Sequence, residues 1–248
     1  MQAGPDPSRV ETWALAAWPA LEEIDYDGWT LRFAGGHTKR SNSVNPLRRS
    51  TIPVEEKIPV CERTYAARGL PTIFRLTPLA DPTLDDALAS RGYDRIDRTL
   101  VMTRLIADPA TFAPHAAVHS VDASTWLDAF ESFGLFPNEE MDLRRRIVGA
   151  IPGETIPLLA GSPDRPTGIH LGVRDGAGVG LFALLVAADA RRAGLGRGLV
   201  ETALRIATAG GATTAYLQVE EDNTNARSLY EKIGFADAYD YWYRIRRR

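Results

Sequence analysis

The chain has 248 residues, of which 44% are apolar and 25% are charged. These proportions are those of globular proteins, so they exclude a disordered, collagen-like or coiled-coil chain. Lysine and arginine number 29 against 32 acidic residues, a net charge of -3, which offers no general attraction to nucleic acid or to an anionic membrane. The length is that of one large domain or of two domains of ordinary size.

The single cysteine, Cys61, has no disulfide partner in the chain, and the four histidines show no metal-site spacing with it. The longest apolar run, 179–188, is far shorter than the roughly 20 residues of a membrane helix. The N-terminal segment has no apolar signal core. We therefore expect a soluble, cytoplasmic protein that binds no metal, membrane or nucleic acid and is a monomer or a homodimer.

Proline and glycine divide the chain into short segments in which strand-like and helix-like patterns alternate, which predicts an α/β or α+β fold. The strand-like runs are, in chain order, TLRF (30–33), TIFRL (72–76), TLVMTRL (99–105), TIPLLA (155–160), LFALLV (181–186) and TAYLQV (214–219). The segment 107–114 contains two prolines and small residues. We predict that it is a linker between two domains, residues 1–106 and 115–248.

The two predicted domains match each other in pattern. An offset of 142 lays residues 28–106 on residues 170–248 without a gap, with Gly36 on Gly178 at a hairpin turn. In this register the helix-like stretch 53–69 falls on 195–211. We predict a duplicated fold, although two unrelated α/β halves with the same hydrophobic period would also give such a match.

A glycine-rich segment, RRAGLGRG (191–198), lies between a strand-like run and a helical pattern that starts at Leu199. Gly194, Gly196 and Gly198 lack the side chains that keep a ligand away from the backbone, and the start of a helix offers unpaired N–H groups to an anion. The segment matches neither a dinucleotide-binding loop nor a P-loop. It predicts a phosphate or pyrophosphate site; the alternative is a turn that only allows close packing.

The stretch 217–235 is typical of a strand, a short loop and a helix capped by Asn223 or Asn225. Asn223 and Tyr230 are seven residues apart, so they share one face of this helix, roughly 10 Å apart along its axis. An amide and a phenol on one face suit an elongated ligand with amide groups. A half-buried tyrosine whose hydroxyl reaches water is the alternative.

Two motifs in residues 115–248 resemble those of the GNAT superfamily of acyl-CoA-dependent N-acyltransferases. Residues 191–196 match its R/Q-x-x-G-x-G/A signature, and Asn223-x-x-Ala226-x-x-Leu229-Tyr230 is similar to its second motif. The resemblance implies acetyl-CoA as cosubstrate, with pyrophosphate on the N–H groups of the glycine-rich loop and pantetheine along the strand that precedes it. The cosubstrate-binding residues it implies are Leu184, Leu185, Val186, Arg191, Arg192, Ala193, Gly194, Leu195, Gly196, Arg197, Asn223, Asn225 and Tyr230.

The resemblance further implies direct transfer of an acetyl group to a primary amine of a small molecule or peptide, in a ternary complex. Tyr230 would protonate the departing thiolate, and Glu220 is one candidate for the base, beside Glu221, Asp189 and a water chain. Two other functions stay open. One is an acyl-CoA-binding regulatory module without turnover, and the other is an aminoacyl or peptidyl transferase, which would need a basic channel.

The N-terminal half resembles a degenerate copy of the same fold, so we expect two GNAT-like mixed-sheet domains in tandem, with central strands flanked by helices. In the offset register Ile52 falls on Gly194, and Pro53 removes an N–H donor beside it, so we expect one acetyl-CoA per chain. Arg40 and Asn42, on a predicted strand, are the candidates for binding the acceptor in a cleft between the halves. The alternative is that this strand faces solvent or an interface.

Overall fold

The computed structural model describes residues 5–113 and 115–246. The strands are β1 (Glu22–Tyr26), β2 (Trp29–Phe33), β3 (Val44–Pro46), β4 (Ile73–Leu76), β5 (Asp94–Leu105), β6 (Val118–Ser120), β7 (Glu154–Ser162), β8 (Arg165–Asp175), β9 (Gly178–Val186), β10 (Thr214–Glu220) and β11 (Ala236–Ile245). The helices are α1 (Pro7–Ala17), α2 (Val54–Ala66), α3 (Leu84–Ser90), α4 (Ala123–Glu131), α5 (Asn138–Gly149), α6 (Leu195–Ala209) and α7 (Thr224–Lys232).

All of these strands belong to one mixed sheet, in the order β1-β2-β3-β4-β11-β5-β10-β9-β8-β7-β6. Each strand-like run of the sequence lies in or overlaps one of them, and helices cover the sheet, so the predicted α/β class is confirmed. No helix among residues 5–113 and 115–246 is both long enough and apolar enough to cross a bilayer.

Helix α6 forms where the helical pattern predicts it, and its apolar stripe is its buried face. Leu199, Val200, Ala203 and Leu204 are fully buried against strands of the C-terminal half. Burying each of the larger of these side chains stabilises the fold by about 1.5–3 kcal/mol. The helix is therefore held rigidly on the sheet, and the loop before it is fixed relative to β9.

The two halves of the chain exchange their last strands. β11, at the end of the chain, pairs with β4 of the N-terminal half, while β5, at the end of that half, pairs with β10 of the C-terminal half. β5 and β11 also pair with each other, antiparallel, at the centre of the sheet. The sheet therefore has no interruption where the halves meet, and the boundaries 1–106 and 115–248 stay a prediction.

The predicted linker follows β5 directly. It contains a 3-10 turn at Pro109–Thr111, and the side chain of Phe112 is buried in the core of the C-terminal half. Pro114, the last residue of the predicted linker, lies outside the described residues. A second contact between the halves is made by Trp13 of α1, whose ring packs directly over Gly178 and stacks on Tyr216 at 6.2 Å between ring centroids.

The hairpin predicted for residues 28–44 is wrong in its second strand. After β2 the chain turns at Gly35 and Gly36, both with positive φ, and forms a 3-10 turn at Lys39–Ser41 before the short β3. Asn42 explains the difference, because its side-chain amide bonds the backbone of this segment instead of leaving it to pair as a strand. Arg40 and Asn42 consequently lie on and beside a turn.

Candidate active site

Strands β9 and β10 part from each other halfway along their length. They pair in parallel from Thr214↔Gly178 to Leu217↔Leu181. Both strands continue beyond that point, but they no longer pair with each other. Just past it, β9 bulges: Ala183 has φ +50°, and the register with β8 shifts between Ile169 and Leu171. The bulge bends β9 away from β10, which opens a gap on the side of Leu184, Leu185 and Val186.

The glycine-rich loop links this parted strand to α6. Gly194 is the N-cap of α6 with φ +78°, and the first helical hydrogen bond runs from Gly198 N to the Gly194 carbonyl at 3.0 Å. The N–H groups of Leu195, Gly196 and Arg197 therefore have no partner in the helix. A Cβ added at Gly194 would meet nothing within 4 Å, so the space before these donors is open.

The arginines and the third glycine of the loop have different roles. Arg191 donates from Nε to the carbonyl of Val186, Arg192 is exposed with φ +65°, and Arg197 pairs with Glu201 one turn along α6. Gly198 faces away from this open space, because a Cβ there would overlap the side chain of His115 at 2.5 Å. Gly198 is therefore a packing glycine, which corrects the interpretation that all three glycines expose the backbone to a ligand.

A cavity of about 560 Å³ lies where β9 and β10 part. It brings together residues of both halves, including Leu184, Leu185, Glu220, Asn223 and Tyr230 from the C-terminal half and Lys39, Arg40 and Asp97 from the N-terminal half. Val186, Asn225 and the loop 191–197 lie outside its lining, and residues 191–194 are exposed. The predicted site residues thus occupy two neighbouring places, a cavity and a helix N-terminus.

Tyr230 is buried on α7 with its ring against Phe235, in an edge-to-face contact with 6.0 Å between ring centroids. Burial raises the pKa of its hydroxyl to about 12, so this group keeps its proton at neutral pH. Within residues 5–113 and 115–246 nothing hydrogen-bonds that hydroxyl. Asn223 is the N-cap of α7 and accepts from Ala226 N at 3.2 Å, whereas Asn225 is exposed inside the helix.

Asn42 does not present its amide to the cavity. Its Oδ1 accepts from the N–H groups of Ala34 and Gly36, and its Nδ2 donates to the carbonyls of His37 and Thr38. All four hydrogen-bonding positions of the side chain are thereby used. Asn42 holds the turn that carries Arg40, and Arg40 lines the cavity.

The acidic residues proposed as bases differ in position. Glu220 is exposed at the rim of the cavity, Glu221 pairs with Arg98, and Asp189 lies in a 3-10 turn after β9. No group of three or more His, Cys, Asp or Glu residues able to hold a metal occurs in the part of the chain that the structure describes. Glu220 is the one of the three that lines the cavity.

The loop of the N-terminal half that matches the glycine-rich loop carries its own anion. The carboxylate of Asp27 accepts from the N–H groups of Thr51 and Ile52, at 3.0 and 2.9 Å, just before α2. These bonds, with help from Lys57, hold the pKa of Asp27 well below its usual range. In the offset register these two donors match residues 193 and 194, and Pro53, which has no N–H, matches Leu195. The start of α2 therefore has an internal carboxylate beside it and one backbone donor fewer than the start of α6.

Sequence reasoning missed Arg144, Trp18 and Gln218, which also line the cavity. Arg144 had a detectable signal. It lies three residues after Met141 and four before Val148, both buried, so the helical period of α5 places a charged side chain on an apolar stripe. Trp18 and Gln218 had no comparable signal, because the fold alone brings them to the same cavity.

Comparisons with known proteins give the family. A family model described as "Probable histone acetyltransferase Rv0428c C-terminal" matches residues 8–244. The "Uncharacterized N-acetyltransferase YobR" of Bacillus subtilis is 30% identical over 98% of this chain and 99% of its own length. The chain belongs to this family of GNAT N-acetyltransferases. It is an N-acetyltransferase in which both predicted halves are covered by the match.

Three further similarities agree with this assignment. The "Probable histone acetyltransferase Rv0428c" of Mycobacterium tuberculosis is 28% identical over 91% of this chain and 69% of its own length. The fold matches a GCN5-related N-acetyltransferase from Kribbella flavida with a TM-score of 0.67 over 99% of this chain and 97% of the other, at 16% identity. It also matches a tandem GNAT protein from the clavulanic acid biosynthesis pathway, with a TM-score of 0.66 over 98% of this chain and 90% of the other, at 13% identity.

Proposed function

We propose that this N-acetyltransferase transfers an acetyl group from acetyl-CoA directly to a primary amine within a ternary complex. One observation carries the proposal: the parted strands β9 and β10, the open N-terminus of α6 and the buried hydroxyl of Tyr230 occur at the same end of the sheet. A donor held between the strands and along the helix start would end at Tyr230. The regulatory-module and aminoacyl-transferase alternatives gain no support from these observations.

The residues present fit the donor. The unpaired N–H groups of Leu195, Gly196 and Arg197, together with the positive end of the α6 dipole, suit a pyrophosphate. The apolar side chains of Leu184 and Leu185, with the edge of β9 that has lost its neighbour, suit the pantetheine arm. When bound, acetyl-CoA supplies an acetyl group activated as a thioester.

Tyr230 is the proposed acid. Its hydroxyl lacks a protein partner and keeps its proton, so it can donate that proton to the sulfur as the thiolate departs. Asn223, on the same face of α7, lines the cavity beside it while it caps the helix. These two side chains would orient the reacting end of the donor.

The acceptor amine would enter from the side of the N-terminal half, where Arg40 lines the cavity. It must lose a proton before attack, and Glu220 at the rim is the proposed base, directly or through water. Asn42 would affect acceptor binding indirectly, because its hydrogen bonds hold the turn on which Arg40 lies.

The donor site is tested by substitution of Gly196. A Cβ at this position would make ordinary contacts of 3.5 Å or more, so Gly196→Ala is the matched control. We expect Gly196→Glu to abolish acetyl-CoA binding, because its side chain would start between Leu184, Val186 and Leu229 and put a charge on the proposed path of the donor. Gly196→Ala should bind with little change.

Calorimetry with acetyl-CoA measures both variants and the stoichiometry. We expect one acetyl-CoA per wild-type chain, since the carboxylate of Asp27 lies at the start of α2 and would repel a phosphate there, and Pro53 lacks the N–H that Leu195 offers. Wild-type affinity in a folded Gly196→Glu variant would contradict the assigned site, and two molecules per chain would contradict the role given to the N-terminal half.

A further inference from the structure

Arg144 is a buried cation that makes no ion pair at contact distance with a carboxylate of the described chain. Arg144 is 5% exposed. Among residues 5–113 and 115–246, no carboxylate oxygen lies within 4.0 Å of its guanidinium, and no group accepts a hydrogen bond from this guanidinium. The guanidinium carbon lies 5.2, 4.1 and 4.8 Å from the ring centroids of Trp18, Phe130 and Phe136. These aromatic faces attract the cation but leave its N–H donors unused.

Arg40, which is half-buried, brings a second guanidinium group to the same cavity. Its guanidinium lies 5.7 Å from the ring centroid of Phe182, and its buried Nε has no partner in the described chain. Burial lowers the pKa of Arg144 to about 10; the carboxylate of Glu140 opposes this shift, and the positive charge of Arg40 adds to it. Arg144 therefore remains charged at neutral pH. Two like charges therefore face one cavity.

Two of the nearby acids have other partners, and Glu220 is exposed at the rim of the cavity. Asp97 lies 2.6 Å from the ammonium of Lys39, and Glu140, one turn before Arg144 on α5, contacts His37 at 3.1 Å. A third donor, Nε2 of Gln218, is also buried in the cavity wall without a partner. An unpaired buried charge is costly, and an anion brought by a ligand would offset that cost at both guanidinium groups.

These donors surround the proposed site of reaction. Phe182 immediately precedes the bulged Ala183. The ring of Trp18 stacks on the ring of Phe182, with 6.1 Å between ring centroids. Arg40 lies over Phe182, and Arg144 lies over Trp18. The unpaired guanidinium groups are thus at the point where β9 and β10 part, on the acceptor side of the cavity.

We propose that the acceptor amine belongs to a molecule that also carries an oxyanion, a carboxylate or a phosphate, and that Arg40 and Arg144 bind this oxyanion. The inference rests on the proposed function, which makes this cavity the acceptor site. Guanidinium groups recognise either oxyanion through paired N–H donors. Polyamines and lysine-rich peptides are disfavoured acceptors, because their additional positive charges would meet Arg40 and Arg144.

Binding is tested without acetyl-CoA, so the result does not depend on the donor site. The probes are benzoate, phenyl phosphate and benzylamine, measured by calorimetry on the full chain. We expect at least one oxyanion probe to bind more tightly than benzylamine and to lose about tenfold or more affinity in Arg144→Met and in Arg40→Gln. Arg144→Met removes an unpaired buried charge and keeps an apolar stem, so the variant is expected to fold.

Arg146→Gln is the matched control, since Arg146 is exposed on the same helix and its loss changes the net charge equally. Loss with phenyl phosphate alone would assign a phosphate-bearing acceptor, and loss with benzoate a carboxylate-bearing one. The inference is overturned if neither oxyanion binds better than benzylamine, or if Arg144→Met binds them as the wild type does.

Turnover then separates this inference from the proposed function. With acetyl-CoA, phenylalanine is compared with its methyl ester, and O-phosphoethanolamine with ethanolamine, by release of free thiol. Preference for the oxyanion member of a pair supports the inference. Equal or better use of the member without the oxyanion, with acetyl-CoA bound and turned over, overturns the inference alone. Absence of acetyl-CoA binding contradicts the proposed function.

Discussion

At the scale of single residues, the environment of each side chain separates roles that the sequence leaves together. Asn42 and Arg40 are close in sequence and both polar, but the amide of Asn42 is hydrogen-bonded to the backbone, whereas Nε of Arg40 has no hydrogen-bond partner in the described chain. Tyr230 combines burial with an unbonded hydroxyl. Hydrogen-bond accounting, more than residue type, therefore indicates which side chain is free to meet a ligand.

Tyr230→Phe tests the proposed acid. The variant keeps the ring that packs on Phe235 and loses only the proton donor, so we expect kcat to fall by a factor of about 10²–10⁴ with little change in the Kd of acetyl-CoA. Because the pKa of the hydroxyl is raised to about 12, the wild-type kcat should show no falling limb from this group up to about pH 10.

The control for Tyr230→Phe is Tyr93→Phe, which removes a buried hydroxyl that bonds Glu62 outside the cavity. We expect its kcat to remain at the wild-type value. A Tyr230→Phe enzyme whose chemical step is as fast as that of the wild type would leave Tyr230 with a packing role.

At the scale of elements, the pairing of β8 with β9 has one costly feature. His170 lies on β8 at the position of the register shift, is fully buried, and neither ring nitrogen has a partner in the described chain. Burial lowers the pKa of this imidazole from 6.5 to about 3. The bulge that opens the donor gap is therefore packed beside a neutral histidine.

This histidine predicts a loss of stability in acid. Because the folded pKa is depressed, the unfolded chain takes up the proton first as pH falls, and the free energy of unfolding decreases from about pH 6.5 toward about pH 3. The expected slope from this residue is about 1.4 kcal/mol per pH unit. Urea unfolding at several pH values measures it, and His170→Leu should have a shallower slope by that amount.

His119→Leu serves as the matched control for His170→Leu, because His119 is exposed on the short edge strand β6. This variant controls for the loss of a histidine as such. Equal slopes for wild type and His170→Leu would show that the imidazole is not held neutral in the folded protein.

At the scale of the whole molecule, the exchange of β5 and β11 makes the halves interdependent. One of the two neighbours of β10 is β5, which pairs with it over seven residue pairs, from Thr214↔Leu105 to Glu220↔Thr99. β11 lies between β4 and β5, both from the N-terminal half. The strand that borders the gap beside β9 is therefore supported by the N-terminal half.

The exchange changes the outcome expected for an isolated C-terminal half. From the sequence alone, a chain that starts near Phe112 should keep its acetyl-CoA affinity if it folds. In the structure it lacks β5, which leaves the edge of β10 and both edges of β11 unpaired. We expect residues 112–248 alone to aggregate, and coexpression with residues 1–106 to restore a soluble one-to-one complex that binds acetyl-CoA.

Size-exclusion chromatography and calorimetry compare the fragment with the coexpressed pair. A monomeric fragment 112–248 with the acetyl-CoA affinity of the full chain would contradict this expectation, because it would show that β11 replaces β5 beside β10 without cost.

The sequence by itself determined the elements and the donor motif, because both depend on local features. Hydrophobic period places β9, α6 and α7, and glycine at Gly194 and Gly196 leaves helix N–H groups open whatever surrounds them. Only the tertiary structure decided the strand exchange and which side chains of the two halves line the same cavity. Strand neighbours and the convergence of Arg40 with Arg144 depend on contacts between residues about 100 positions apart, which no local pattern encodes.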